Sequence, residues 1–219
     1  MDLPLSEAFW YSVTWFGDSG FLLPAALWIA VWLSTRSGTR PSALLWVVLF
    51  GIGASLIATT KIAFLGWGIG NATLNFTGFS GHTALSASVW PVACWLTVSR
   101  WEHRVRVAAA ALGLLFAALI GASRLAIYAH SKSEVVAGFA LGVAISGIFL
   151  WQQHRLPHPR VNWTLVLLSL ATPILFLRPG NPAPTQGALE VIAMRLAGTD
   201  RTYTRADLLA RRHKASGIE

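Results

Sequence analysis

Six apolar runs separated by short polar stretches dominate the pattern of hydrophobic and polar positions. They cover residues 20–33, 43–64, 82–98, 107–122, 135–151 and 161–177. Several are shorter than the ~20 residues of an average membrane span, so we expect the helices to extend into the flanking residues. Only structures that satisfy their own backbone hydrogen bonds can cross a bilayer. The pattern therefore predicts an all-α fold, a bundle of six transmembrane helices.

Two further segments flank these runs. Residues 1–18 place Phe9, Trp10 and Trp15 among polar neighbours, which is typical of an interfacial segment. A stretch rich in proline, residues 178–184, ends the last run. We therefore divide the chain into an interfacial N-terminal segment (1–18), a six-span domain (19–177) and a basic C-terminal tail (178–219).

The tail has helical signals of its own. Leu189, Ile192 and Leu196 follow helical spacing, and Thr204 with Asp207 resembles a capping box that begins a second short helix. We favour a small polar extension. The alternative is a basic flap that rests on anionic headgroups beside a functional site.

Composition supports the membrane interpretation. The chain is 54% hydrophobic and only 12% charged, with a mean hydropathy of +0.56, whereas a soluble domain carries about 25% charged residues. The net charge of +8 does not favour a nucleic-acid partner, because the basic residues are spread over loops and the tail. The lipid bilayer is the expected partner.

The basic residues also predict an orientation. The loops after the first, third and fifth runs contain Arg36 and Arg40, Arg100, Arg104 and Arg106, and Arg155 and Arg160. By the positive-inside rule these loops face the cytoplasm. The N-terminus, the loops near residues 65–80 and 123–134, and the tail then lie outside a cytoplasmic (inner) membrane, facing the periplasm or exterior.

Candidate chemistry lies in the short outer loops. His130 and Glu134 are four residues apart, so on a helix they would share one face. A histidine held by a carboxylate is a better base or nucleophile than a free one. Arg124 adds a planar cation suited to phosphate oxygens. Charged groups near a bilayer are costly, which indicates a functional role.

Two further groups lie on the same predicted side. Ser80, Gly81 and His82 begin the third run, where a helix N-terminus attracts phosphate and Ser80 can cap it. Lys61 lies at the outer end of the second run and is either a phosphate ligand or an interfacial anchor. Lys132 is a further candidate, although a solvated loop charge is the more common role for such a lysine.

These motifs resemble those of the type 2 phosphatidic acid phosphatase superfamily, which also contains the vanadium haloperoxidases. The second motif is Ser80-Gly81-His82, and the third runs from Ser123-Arg124 through His130 to Glu134. The departures are three. Phe79 replaces a proline, Glu134 replaces an aspartate, and Gly68-Ile69 replace the arginine-proline pair that follows Lys61 by seven residues in the first motif. Lys132 is our candidate for the missing charge.

The resemblance implies a six-span phosphatase of lipid phosphates or pyrophosphates with its site at the outer face. His130 would attack phosphorus, Glu134 would orient its ring, and His82 would protonate the leaving oxygen. Lys61, Ser80, Gly81 and Arg124 would bind the phosphate oxygens. No metal or other cofactor is expected, because no His, Cys or carboxylate set has metal-ligand spacing.

Two alternatives stay open at this point. A phosphotransferase that passes phosphate from a prenyl pyrophosphate to another lipid would need the same residues. A non-catalytic lipid-binding scaffold with a decayed site would explain the absent arginine at Gly68. Neither the lipid nor the oligomeric state is specified by the sequence.

Overall fold

The computed structural model describes residues 6–156, 164, 168, 171 and 184–215, with side chains to residue 211. Its helices are α1 (Glu7–Trp15), α2 (Ser19–Ser34), a 3₁₀ turn (Ser37–Thr39), α3 (Arg40–Trp67), α4 (Gly81–Thr97), α5 (His103–Ala126), α6 (Lys132–Gln153), α7 (Thr185–Ala197) and α8 (Arg205–Ala215). The all-α prediction is confirmed, and the first five apolar runs form α2 to α6. The sixth run, 161–177, lies outside the described residues apart from positions 164, 168 and 171, so the six-span count stays a prediction.

Four described segments are long and apolar enough to cross a membrane. They are Glu7–Ser34, Ser37–Trp67, His103–Ala126 and Lys132–Gln153. They indicate a multi-pass membrane protein. The first of these segments includes α1 together with α2, and the interfacial placement of residues 1–18 stays a prediction.

The outer surface of α3 shows which face would meet lipid. Leu44, Val47, Ile52 and Leu56 are 67%, 54%, 54% and 43% exposed. They recur at intervals of three to five residues, so they form one continuous apolar stripe. Such a stripe is unfavourable in water and matches the hydrocarbon of a bilayer.

The most buried helix is α4, which packs mainly against α5 and α6. Close approach depends on small residues at the crossings, as in other membrane bundles. A side chain at Gly113 of α5 would meet the backbone of Trp90 and Pro91 at 2.7 Å, and one at Gly142 of α6 would meet Ala84 and Ala87. These glycines let the three helices lie with their backbones in near contact.

The functional side of the bundle is the end where α3 and α5 finish and α4 and α6 begin. The tail docks at this same end. The Tyr203 N–H donates to the Leu65 carbonyl at 2.9 Å, and Phe64 and Leu65 form a small apolar cluster with Ala193 and Leu208. The tail is therefore more than the small polar extension favoured above, because it packs against the end of α3. Sequence pattern showed that the tail is helical but not what its apolar positions pack against.

The helices of the tail follow their local signals. Leu189, Ile192 and Leu196 lie on α7 as predicted. The Thr204 N–H donates to Asp207 Oδ2 at 2.8 Å, and the Asp207 N–H donates to Thr204 Oγ1 at 3.3 Å. This reciprocal pair is the predicted capping box, and it sets the start of α8 at Arg205.

Candidate active site

A cavity of about 740 Å³ opens where these helix ends meet. Five of the sequence-predicted site residues line it: Lys61 from α3, Gly81 and His82 from α4, Arg124 from α5 and His130 from the loop before α6. Residues far apart in the chain thus surround one volume. Both histidines face the same space as the two basic side chains.

His130 precedes α6 rather than lying on it, so His130 and Glu134 do not share a helical face, although the carboxylate reaches the imidazole as expected. The Ser131 side chain caps α6 by accepting from the Glu134 N–H at 3.3 Å, and Glu134 Oε2 accepts from the Ser131 N–H at 3.0 Å. This capping box turns the Glu134 carboxylate back toward the preceding loop. Glu134 Oε2 therefore lies 2.8 Å from His130 Nδ1.

The Glu134 carboxylate is fully buried and has several donors. The N–H and the hydroxyl of Thr77 donate to its Oε1 at 2.8 Å and 2.5 Å. Arg205 Nη2 lies 2.9 Å from Oε1 and 2.8 Å from Oε2. The Glu134 backbone carbonyl also accepts from the Ser80 N–H at 3.1 Å, which joins the start of α6 to the start of α4.

The state of His130 follows from these contacts. A carboxylate only accepts, so Nδ1 of a neutral His130 carries the proton and Nε2 keeps its lone pair. Burial lowers the pKa of His130, against the opposing effect of its hydrogen bond to Glu134. The neutral imidazole is therefore the main form near pH 7.

The N-terminus of α4 forms another wall. Ser80 is its N-cap residue, as predicted, but its side chain makes no capping bond. The hydroxyl of Ser80 is fully buried and lies 2.9 Å from Thr83 Oγ1, and Ser80 is not part of the cavity lining. Gly81 and His82 do line the cavity, so the first turn of α4 presents backbone N–H donors at this wall.

Each basic side chain is held from a different element. Arg124 Nη1 donates to Thr14 Oγ1 of α1 at 2.8 Å. Lys61 Nζ donates to Gln186 Oε1 of α7 at 3.1 Å. The N-terminal segment and the tail thus both orient cations of the site.

Lys132 does not join the site. It is exposed at the start of α6 and is not part of the cavity lining. The proposal that Lys132 replaces the missing charge has no support from this position. Besides Arg124, a second guanidinium enters this region, and it belongs to Arg205 of the tail.

Sequence reasoning missed Asp18 and Arg205 as cavity residues. Asp18 Oδ1 accepts from the Gly20 N–H at 2.7 Å and caps α2, while its Oδ2 lies 3.8 Å from His82 Nε2. An aspartate directly before an apolar helix was the available signal for Asp18. Arg205 follows the recognised capping residue Thr204, but nothing local indicates a partner 71 residues earlier.

The remaining wall is apolar. It is lined by Leu23, Ala54, Ile57, Ala58, Leu85, Ala188 and Leu189. A pocket with one basic end and one apolar side suits an amphiphile with an anionic head. Within the described residues, no group of three or more His, Cys, Asp or Glu side chains is arranged to hold a metal ion.

Comparison with known proteins agrees with this arrangement. The model of the PAP2 superfamily, the type 2 phosphatidic acid phosphatase superfamily that the motifs resemble, matches residues 59–157, which include every predicted site residue. An uncharacterized 22.5 kDa protein in the cps region of Klebsiella pneumoniae is 43% identical over 202 residues, covering 91% of this chain and 97% of that protein. No solved structure matches the chain significantly. The chain belongs to the PAP2 superfamily.

Proposed function

We propose that this protein is an integral membrane phosphatase that hydrolyses a lipid phosphate or pyrophosphate through a phosphohistidine on His130. Membership in the PAP2 superfamily supports the reaction class. The observation that carries the assignment is the 2.8 Å bond between His130 Nδ1 and Glu134 in a cavity shared with Lys61 and Arg124. A neutral, oriented nucleophile then lies beside two cations.

In the first step, His130 Nε2 attacks phosphorus as the bond from phosphorus to the lipid oxygen breaks. His82 donates a proton to that leaving oxygen, and Glu134 stabilises the positive charge that develops on the His130 ring. In the second step, His82 takes a proton from water, which attacks the phosphohistidine and releases inorganic phosphate. Phosphoryl transfer depends mainly on positioning and on charge stabilisation, which the side chains of this cavity can provide.

The phosphate oxygens are assigned to Lys61, Arg124 and the N–H groups at Gly81. Ser80 contributes through its backbone position at the start of α4 rather than through its hydroxyl, which is bonded to Thr83. The apolar wall receives the lipid chain beside the headgroup. A phosphatidyl phosphate, a prenyl pyrophosphate or a phosphorylated glycolipid fits this description.

The topology forms part of the same proposal. The chain is placed in the cytoplasmic membrane with six spans, and its site faces the periplasm or exterior. The distribution of loop arginines supports this orientation. Fusing a reporter that works only outside the cytoplasm into the 68–80 loop tests it. An inactive reporter there, with an active one after residue 100, would reverse the orientation.

The decisive experiment for activity uses the full chain purified in detergent with a panel of lipid phosphates. Wild type should release inorganic phosphate from at least one of them, and His130→Ala should lose nearly all of that release. Equal release by both proteins would end the phosphohistidine proposal. Phosphate recovered on an added lipid acceptor would instead identify a phosphotransferase, and no turnover of any member would favour a non-catalytic scaffold.

A further inference from the structure

Arg205 connects three separate parts of the molecule. Its Nη2 donates to both carboxylate oxygens of Glu134 at 2.9 Å and 2.8 Å. Its Nη1 donates to the Asn75 carbonyl at 3.0 Å and to Asn75 Oδ1 at 2.7 Å. The planar guanidinium therefore ties the tail to the 68–80 loop and to α6 in one fixed orientation.

The tail also fills the space at the end of α3. Gly68 stands where the first motif would have an arginine, and it ends α3 with a φ of 65°. A side chain at Gly68 would meet Tyr203 Cδ1 at 2.9 Å and Arg211 Nη1 at 3.0 Å. The space next to Gly68 is thus occupied by the same tail segment that contains Arg205.

We propose that Arg205 is a positioning residue for His130, which it keeps neutral and correctly oriented by holding Glu134 and sharing its negative charge. This inference rests on the proposed function to the extent that His130 is the nucleophile. Arg205 acts through Glu134, and it lies in the C-terminal tail, outside the family motifs.

The physical reason lies in the burial of Glu134. A buried carboxylate needs a compensating positive charge. If His130 were its only titratable partner, the pair would favour a proton on both ring nitrogens, and the nucleophile would lose its lone pair. A permanently charged guanidinium on the same two oxygens neutralises part of the carboxylate's charge, so Glu134 attracts a second proton to the His130 ring less strongly.

Other charged groups face His130 as well. The titratable or charged groups that line the cavity or contact His130 are Asp18, Lys61, His82, Arg124, Glu134, Tyr203 and Arg205. A test must therefore change Arg205 alone and leave these groups in place. Arg201 offers a matched control, since it belongs to the same tail, is 74% exposed and pairs with Asp207 outside the cavity.

The test measures the protonation of His130 without turnover. Diethyl pyrocarbonate modifies the neutral imidazole and not the protonated one, so the rate of carbethoxylation at His130 itself, located within its peptide by tandem mass spectrometry and followed against pH, gives its titration midpoint. Arg205→Gln should raise this midpoint by about one pH unit or more. The midpoint in Arg205→Lys should lie between those of wild type and Arg205→Gln, and the midpoint in Arg201→Gln should equal that of wild type. An unchanged midpoint in Arg205→Gln would overturn the proposal.

A second variant serves if Arg205→Gln does not fold. Asn75→Gly removes the side-chain acceptor of Arg205 while suiting the positive φ of 51° at that position. It should raise the midpoint by a smaller amount than Arg205→Gln. In that case, a wild-type midpoint in Asn75→Gly would count against the inference.

Phosphate release from a short-chain phosphatidic acid, measured on the same proteins, separates the two hypotheses. If the midpoint moves in Arg205→Gln while His130→Ala still releases phosphate like wild type, the positioning contact stands and the proposed function fails. If the positioning role and the proposed function both hold, the midpoint of the acid limb of kcat/KM in Arg205→Gln should rise together with the labelling midpoint. The loss of kcat/KM relative to wild type should then be smaller at higher pH. A uniform loss of kcat/KM at every pH, with no shift of the labelling midpoint, would assign Arg205 a structural role only.

Discussion

His82 Nε2 lies 3.8 Å from Asp18 Oδ2, and both residues face the cavity. Asp18 is 5% exposed and also caps α2 through its other oxygen. The carboxylate therefore places a negative charge beside the ring that is proposed to donate a proton to the leaving group. Asp18 lies in the short connection between α1 and α2, outside the recognised motifs.

Replacing Asp18 by asparagine should lower kcat for phosphate release by about tenfold or more, because the neutral amide no longer stabilises a protonated His82. Asparagine caps a helix nearly as well as aspartate, so the free energy of unfolding should change little. Steady-state kinetics with a lipid phosphate and a thermal melt of the same sample give both values.

Asp18→Ala separates the two roles of this residue. It removes the cap as well as the charge, and should reduce the free energy of unfolding by about 1 kcal/mol beyond the asparagine variant. Wild-type kcat in Asp18→Asn, with a loss only in Asp18→Ala, would show that Asp18 serves the fold and not the acid.

The pH dependence of turnover should reflect His130. Burial lowers the pKa of His130, and only its neutral form can attack phosphorus. The acid limb of kcat/KM should therefore have a midpoint below the ordinary histidine value of about 6.5, whereas a fall on the alkaline side would reflect loss of the proton from His82, the proposed acid. Below that midpoint kcat/KM should fall by about tenfold per pH unit, because a single protonation of His130 removes its lone pair.

The measurement is initial rates of phosphate release across about pH 5 to 8, with enzyme stability checked at each pH. An acid limb centred above the ordinary histidine value would show that His130 is charged at neutral pH. That outcome would contradict its assignment as the resting nucleophile.

Gly68→Ala should destabilise the protein through two effects. A non-glycine residue in the left-handed region costs roughly 1–2 kcal/mol, and its Cβ would also meet Tyr203 at 2.9 Å. Gly198 is the matched control, since its φ is 66° but nothing lies within 4 Å of a Cβ added there. Thermal unfolding in detergent should show a larger loss for Gly68→Ala than for Gly198→Ala. Equal losses would mean that the tail does not press on the end of α3.

The local features of the chain were readable from short-range pattern. The first five apolar runs became α2 to α6, and Thr204 with Asp207 formed the capping box that begins α8. The family was recognisable because its motifs combine residue types with defined spacing. The approach of His130 to Glu134 was also expected, although the capping box at Ser131 rather than a shared helical face produces it.

The sequence by itself determined the membrane bundle, the family and the cluster of His82, Arg124 and His130 at one end, because local periodicity and motif spacing mark the helices and successive spans reverse direction. Only the tertiary structure decided that Ser80 turns its hydroxyl toward Thr83, that Lys132 lies outside the cavity, and that Asp18 and Arg205 lie within it. The contact between Arg205 and Glu134 spans 71 residues. It depends on how the tail packs against the end of α3, and no local pattern of polar and apolar positions encodes that packing.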